Sequence, residues 1–155
     1  MRILLKLALD CDPDAAWQAL RSPAVFRAVA APFSTFESLE PAGFPAQWSE
    51  GPHPVRVRAF GLVDAGEQII DLSFEERPGV RLVHDFGRAV SGPLAVVTTW
   101  RHTMAVSPLP EHRTLYRDRL VVSAGAATLP VWLGLWAFWQ WRGFRIRQLS
   151  AHWRA

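Results

Sequence analysis

The chain has 155 residues, of which 50% are hydrophobic and 20% charged, and its formal net charge is +3. This length suits one domain, and the composition excludes a disordered chain. No run of about five or six like charges occurs, so a basic arm is excluded and nucleic acid is not an expected partner. The single cysteine, Cys11, cannot form an internal disulfide and indicates a reducing, cytoplasmic setting.

The N-terminal segment alternates apolar and other residues from Ile3 to Leu9, which predicts a strand. It does not have the form of a secretion signal, because Lys6 interrupts the apolar run and Asp10 stands where a small residue would be needed. The first element is therefore expected to belong to the folded domain.

Two short helices are predicted directly after this strand. Asp12 is suited to an N-cap and Pro13 to a first helical turn, which predicts a helix over residues 14–20. Ser22 and Pro23 repeat this signal, and the second helix is expected to end before residue 32.

The middle of the chain predicts strand after strand. Residues 33–39 alternate as a strand, whereas the proline-rich segment 41–54 is predicted to be a loop. Five further segments are rich in β-branched and aromatic residues, and the short links between them favour antiparallel pairing. These five predicted strands are residues 55–63, 68–76, 80–86, 95–106 and 114–123.

A tryptophan-rich helix is predicted over residues 129–153. Its apolar part, residues 129–141, is shorter than the roughly 20 residues that a membrane span needs. At ~1.5 Å per residue the helix is long enough to cover a sheet. We therefore predict an α+β fold in which a curved antiparallel sheet of about seven strands wraps around this helix and leaves an apolar pocket between them.

The order of these elements resembles a known superfamily. The segments that carry the resemblance are the hairpin 99–104 to 116–120, the sequence 123–125 and the start of the last helix at 130–133. They are similar to the helix-grip superfamily of START, polyketide cyclase and birch-pollen-allergen-like proteins, called SRPBCC. The resemblance implies a single domain over residues 1–155. Members bind lipids, sterols, polyketides, hormones or quinones, and only some are enzymes, so fold alone does not choose between these functions.

The hairpin is expected to turn an apolar face inward and to carry two polar residues on it. The imidazole of His102 and the carboxylate of Asp118 would then lie side by side, while the arginines at 101, 117 and 119 face solvent. A slip of one residue would reverse this assignment. The expected facing pairs are Met104 with Tyr116, His102 with Asp118, and Trp100 with Leu120.

His102 and Asp118 are the candidate catalytic residues. Such a pair could orient a general base or hydrogen-bond a ligand oxygen, and the alternative is a pair of satisfied polar groups that braces the sheet. His84 shares a strand face with Leu82 and Phe86, so it either points into the pocket or is an ordinary half-buried strand histidine. No metal site is predicted, because these residues lack ligand spacing. The predicted ligand-binding residues are His84, Trp100, His102, Met104, Tyr116, Asp118, Trp132, Trp136 and Trp139.

The last helix carries two further patterns. Trp132, Trp136 and Trp139 share one stripe, which is typical of core packing but would also allow a few rings to stack on a flat ligand. Apolar residues on so much of the helix also suggest a homodimer or peripheral membrane contact. The densest group of arginines comprises Arg142, Arg145, Arg147 and Arg154.

Three functions are consistent with these patterns. The first is binding or transport of an apolar small molecule such as a lipid, polyketide or quinone. The second is a polyketide cyclase or dehydratase that uses His102 and Asp118. The third is an interaction module that uses the arginine-rich helix on a protein or membrane surface. No cofactor is predicted, because no phosphate-binding glycine loop or Cys-x-x-Cys motif occurs.

Overall fold

The structure, a computed structural model, describes residues 1–153. Strand β1 (Arg2–Leu9) is followed by two short helices, α1 (Pro13–Leu20) and α2 (Pro23–Ala30). The chain then forms the rest of the sheet and ends in a helix of 23 residues. The later elements are β2 (Ser34–Ser38), β3 (Gly51–Ala59), β4 (Val63–Arg77), β5 (Val80–Asp85), β6 (Arg88–Ala89), β7 (Thr99–Leu109), β8 (Arg113–Ser123) and α3 (Thr128–Ser150).

The two short helices begin at the caps that the sequence predicts. The side chain of Asp12 accepts a hydrogen bond from the backbone N–H of Asp14 at 2.9 Å. The hydroxyl of Ser22 accepts one from the N–H of Val25 at 3.3 Å. Each helix has proline in its first turn, where no N–H partner is required. The side-chain caps satisfy backbone donors that a helix start would otherwise leave free.

All strands belong to one antiparallel sheet in the order β1-β8-β7-β5-β4-β3-β2, and β6 pairs with β4 beside this path. Helix α3 packs against β1 and β8, and α2 packs against both β2 and α3. This arrangement confirms the predicted helix-grip α+β fold. Among the described helices, none has the length and apolar character required to cross a bilayer.

Strand β3 begins at Gly51, although the prolines before residue 55 predict a loop. The register explains why these prolines are tolerated. Strand β2 pairs only with the second half of β3, so residues 51–54 lie beyond the end of β2 and pair with β4. The carbonyl of Pro54 accepts from Leu39 on the side away from β4. Proline at such a position removes no hydrogen bond to β4.

The turn between β3 and β4 also differs from the prediction, because β3 ends at Ala59 instead of residue 63 and β4 begins at Val63 instead of residue 68. Two further differences concern β7 and α3. Strand β7 begins at Thr99 instead of residue 95, because residues Pro93–Val96 form a 3-10 turn. Helix α3 ends at Ser150 instead of residue 153. Neither change alters the order of the elements or the side of the sheet that α3 covers.

Candidate ligand-binding site

A cavity of about 690 Å³ lies between α3 and the inner face of the sheet. Its volume is within the range of roughly 300–1,000 Å³ that is usual for small-molecule sites. Most of its walls are apolar. They include Phe26 from α2, Phe36 from β2, Val57 from β3, and Leu135 and Phe138 from α3. The cavity lies between sheet and helix, with α2 and β2 as an additional wall.

Aromatic rings mark the open end of this cavity. The rings of Phe33 and Trp141 pack edge-on with their centroids 5.2 Å apart, and the ring centroids of Trp141 and Phe144 are 5.6 Å apart. Phe33 and Phe144 line the cavity and are also exposed to solvent. The indole N–H of Trp141 donates to the carbonyl of Ala31 at 2.9 Å, which fixes this ring at the entrance.

The polar end of the cavity is organised by the buried carboxylate of Asp118. Its Oδ1 accepts hydrogen bonds from His102 Nε2 and Trp139 Nε1, both at 2.9 Å. Its Oδ2 accepts from the hydroxyl of Tyr116 at 2.6 Å. Arg142 Nη2 lies 3.8 Å from the same Oδ2. Three of these residues, His102, Trp139 and Arg142, also line the cavity, whereas Tyr116 and Asp118 itself lie outside its lining, although both were predicted to bind the ligand.

The hairpin of β7 and β8 brings His102 and Asp118 together, but in a different register from the one predicted. Asp118 pairs with Met104, and His102 pairs with Leu120. The expected facing pairs are therefore wrong by two residues, because the turn is tighter and lies nearer residues 110–112 than predicted. A shift of two keeps every side chain on its face. His102 thus still points inward and reaches Asp118 diagonally.

The environment of Asp118 keeps its carboxyl group ionised. Burial by itself would raise the pKa of Asp118, but the charge and hydrogen bond of His102, the charge of Arg142 and the hydroxyl of Tyr116 lower it to about 2. An ionised carboxylate only accepts hydrogen bonds, so His102 Nε2 carries the proton between them. Nδ1 is then the ring nitrogen of His102 that remains for the cavity.

The same surroundings shift the pKa of Tyr116 upwards, opposite to that of Asp118. Burial and the negative charge of Asp118 raise the pKa of its hydroxyl well above the usual value, although the charge of Arg142 opposes the rise. The hydroxyl therefore remains protonated and donates to Asp118. Tyr116 was predicted to bind the ligand, and the structure places it behind the cavity as a support for Asp118.

A second buried carboxylate, Asp85, was not predicted. Its Oδ2 accepts from the indole N–H of Trp100 at 3.0 Å. Its Oδ1 accepts from the backbone N–H groups of Gly87 and Asp71 at 3.0 and 3.1 Å. Asp85 and Trp100 both line the cavity. The available signal was an acidic residue at the inward position of an apolar strand, two residues before a glycine.

His84 does not face the cavity, so that expectation is wrong. The inward side chains of β5 are the buried Val83 and Asp85, and His84 stands between them on the other face. There its Nδ1 lies 3.2 Å from Thr103 Oγ1, and its Nε2 lies 3.3 Å from Glu75 Oε2. Over residues 1–153 the structure shows no group of three or more His, Cys, Asp or Glu side chains arranged to hold a metal.

The tryptophans of α3 do not form one wall of the cavity. Trp139 is buried and lines it, but Trp136 is 46% exposed and lies outside its lining. Trp132 donates its indole N–H to the carbonyl of Arg2 at 2.9 Å and packs on the β1 side. The expectation of a shared lining stripe is therefore wrong for Trp132 and Trp136. Apolar residues surround the whole helix, so the sequence does not fix its rotation.

Met104 and Arg142 complete the inner end. Met104 lies beside a smaller cavity of about 50 Å³, which shares His102 and Arg142 with the larger one. Arg142 was expected in a surface cluster, and its burial corrects that expectation. The guanidinium stands 5.1 Å from the ring centroid of Trp139. Arg147 is exposed as expected, and Arg154 lies outside the described residues.

Comparisons with known proteins support the fold. No family model matches the chain, and no curated protein resembles it in sequence. A hypothetical protein from Helicobacter pylori superposes with a TM-score of 0.70 at 13% identity, over 97% of this chain and 88% of that one. Norcoclaurine synthase from Thalictrum flavum superposes with a TM-score of 0.65 at 13% identity, over 98% of this chain and 94% of that one. The Aha1 dimer from Colwellia psychrerythraea superposes with a TM-score of 0.60 at 11% identity, over 97% of this chain and 96% of that one.

Proposed function

We propose that this protein binds or carries an apolar small molecule in the cavity between the sheet and α3, as SRPBCC proteins do. One observation carries the proposal: a cavity of about 690 Å³ has mostly apolar walls and a small polar group at its inner end. Such a site favours a lipid, polyketide or quinone-like molecule. The structurally similar norcoclaurine synthase was solved in complex with a transition state analogue, which gives the proposal a precedent in this fold.

Titration with N-phenyl-1-naphthylamine, a neutral fluorescent molecule, tests this function. We expect saturable binding of one probe per chain and competition by apolar extracts from host cells. The neutral probe makes no use of charged groups, so it reports on the cavity alone. Wild-type protein that is folded by circular dichroism but shows no saturable fluorescence gain would refute the proposal.

The pair of His102 and Asp118 favours a second candidate, an enzyme of the polyketide cyclase or dehydratase type. His102 lines the cavity, and its Nε2 lies 2.9 Å from Asp118 Oδ1. Asp118 would orient the ring so that Nδ1 acts on a substrate proton. In a screen of polyketide analogues, His102→Ala should abolish turnover while binding of the naphthylamine probe persists. An unchanged rate in His102→Ala would remove His102 from catalysis.

We also propose that the protein works in a reducing, cytoplasmic setting. Cys11 is buried and free. Burial raises the pKa of its thiol, a hydrogen bond with Thr114 lowers it, and the nearby Asp12 and Asp10 raise it further. The net increase disfavours the reactive thiolate, so the proposed functions assign Cys11 no chemical role.

A further inference from the structure

Arg142 places a cation at the inner end of the cavity. It lies on the buried face of α3 together with Trp139 and Ile146, and only 6% of the residue is exposed. It lines both the large cavity and the small one beside it. Its position follows from the helical repeat, because residues three and seven apart share one face with Trp139.

The protein leaves this guanidinium incompletely paired. Its Nε is buried and has no hydrogen-bond partner within residues 1–153. Its ion pair with Asp118 Oδ2 spans 3.8 Å, which is longer than a hydrogen bond. A buried guanidinium requires acceptors for its five N–H donors, and an unpaired buried charge is costly. A hydrogen bond with the Tyr116 hydroxyl and the face of Trp139 satisfy only part of this requirement.

The carboxylate beside Arg142 already accepts hydrogen bonds from other donors. Asp118 accepts shorter hydrogen bonds from Tyr116, His102 and Trp139, at 2.6, 2.9 and 2.9 Å. Both oxygens of Asp85 are taken by Trp100 and by two backbone N–H groups. Asp118 stays beyond hydrogen-bond distance of Arg142, so an acceptor supplied by a molecule in the cavity would complete the coordination of the guanidinium.

We propose that the ligand is an apolar molecule with one carboxylate, and that the Arg142 guanidinium binds this carboxylate at the inner end of the cavity. A planar guanidinium matches a carboxylate through two parallel N–H donors. His102 lies at the same end, because it and Arg142 contact the two oxygens of Asp118. The apolar body of the ligand extends towards the aromatic entrance. This inference rests on the proposed binding function and specifies its ligand class.

Displacement of N-phenyl-1-naphthylamine by three molecules of equal chain length tests the inference at neutral pH. Decanoic acid carries the charge, methyl decanoate offers an uncharged carbonyl acceptor, and decan-1-ol has neither. We expect decanoate to bind about tenfold to a hundredfold more tightly than the ester or the alcohol, as charge-assisted hydrogen bonds are about that strong. Equal affinities of acid and ester in wild-type protein would overturn the inference while the binding function stands.

The Arg142→Met variant tests whether the preference for the acid over the ester and the alcohol depends on Arg142. Methionine keeps an unbranched stem against Trp139 and removes the charge and the donors. The acid preference should disappear in Arg142→Met, whereas probe and alcohol still bind. Arg147→Met is the control on the same helix, because Arg147 is exposed and lies outside the cavity lining.

The possible failures are distinguishable. No probe binding in folded wild-type protein refutes the binding function itself. An acid preference that survives in folded Arg142→Met refutes the role of Arg142. If Arg142→Met does not fold, the ranking of acid, ester and alcohol in wild-type protein still decides whether the cavity recognises a carboxylate.

Discussion

Asp118 is the residue on which the polar end of the cavity depends. Three donors point at its carboxylate, from Tyr116, His102 and Trp139. Those donors come from β7, β8 and α3, so one side chain connects the sheet with the helix. Loss of its charge would leave buried donors poorly satisfied.

Asp118→Asn should therefore destabilise the protein by about 2–4 kcal/mol, because the amide brings donors to a place where only acceptors fit. Urea denaturation followed by circular dichroism measures the change. Asp10→Asn is the matched control at an exposed position and should change stability by no more than about 0.5 kcal/mol. Similar effects of the two substitutions would contradict this account.

The lowered pKa of Asp118 also predicts an acid-dependent loss of stability. Its pKa falls from 3.8 to about 2 on folding, so the unfolded chain binds the proton first as the pH decreases. The stabilising contribution, about 2 kcal/mol, is complete above pH ~4 and is lost as the pH falls towards ~2. The stability difference between wild type and Asp118→Asn should shrink over this interval. A difference that is independent of pH there would be contrary evidence.

Individual residues of the site were predictable where a strand pattern governs them. The alternation along β7 and β8 placed Trp100, His102 and Asp118 on the inner face. The register error of two residues did not change the face on which each side chain lies. Asp85 and Arg142 were missed, since each is a charged residue that becomes buried only through tertiary contacts. Burial of such groups depends on partners from other elements.

At the scale of elements, α3 has two different halves. Its second half buries Gly143, Ile146 and Ser150, whereas its first half leaves Leu129 and Leu133 more than half exposed. A homodimer or peripheral membrane contact of this first half remains a prediction. Arg142 cannot contribute to such a surface, because it is buried beside the cavity. Helix length was predictable, but rotation depends on the sheet beneath it.

Gly134 lies in the more exposed first half of α3 and allows a test of that half. A Cβ added there would meet nothing within 4 Å, and the residue lies within a helix. Gly134→Ala should stabilise the protein by about 0.5–1 kcal/mol, because alanine loses less backbone entropy than glycine in a helix. Thermal and urea denaturation measure the gain.

Gly87→Ala provides the opposite case. A Cβ at Gly87 would stand 1.9 Å from the carbonyl oxygen of Ile69, which is backbone and cannot move aside. We expect a loss of stability far larger than the gain at Gly134. A stable Gly87→Ala variant would contradict the close contact with Ile69, and a destabilised Gly134→Ala variant would contradict the open space at Gly134.

At the scale of the whole molecule, the fold was predictable from the order of elements, whereas the composition of the cavity wall was not predictable. A long final helix after a run of antiparallel strands must cover the sheet, and it does. The wall formed by Phe26, Phe36 and Val57 depends on how α2 and β2 approach α3. That approach joins segments far apart in sequence, and no periodicity within one segment reports it.

Val57→Phe should reduce probe binding at least tenfold with little change in stability. Val57 is buried on the inner face of β3 and lines the cavity, so the larger ring has space to enter. Val55→Phe, two residues earlier on the same face, lies outside the lining and should lose about 1–3 kcal/mol through overpacking. Fluorescence titration and urea denaturation of both variants check the contrast, and normal probe affinity in Val57→Phe would contradict it.

The tyrosine behind Asp118 has a practical consequence for spectroscopy. Tyr116 is the chain's single tyrosine, and Met104 is one of two methionines. Isotope labelling of tyrosine rings therefore yields signals from one position, immediately behind the polar end of the cavity. Labelled methionine methyl groups add only Met104 and the half-exposed Met1. NMR spectra of the unaltered protein can thus follow a guest molecule arriving at the inner end, with assignment reduced to two residue types.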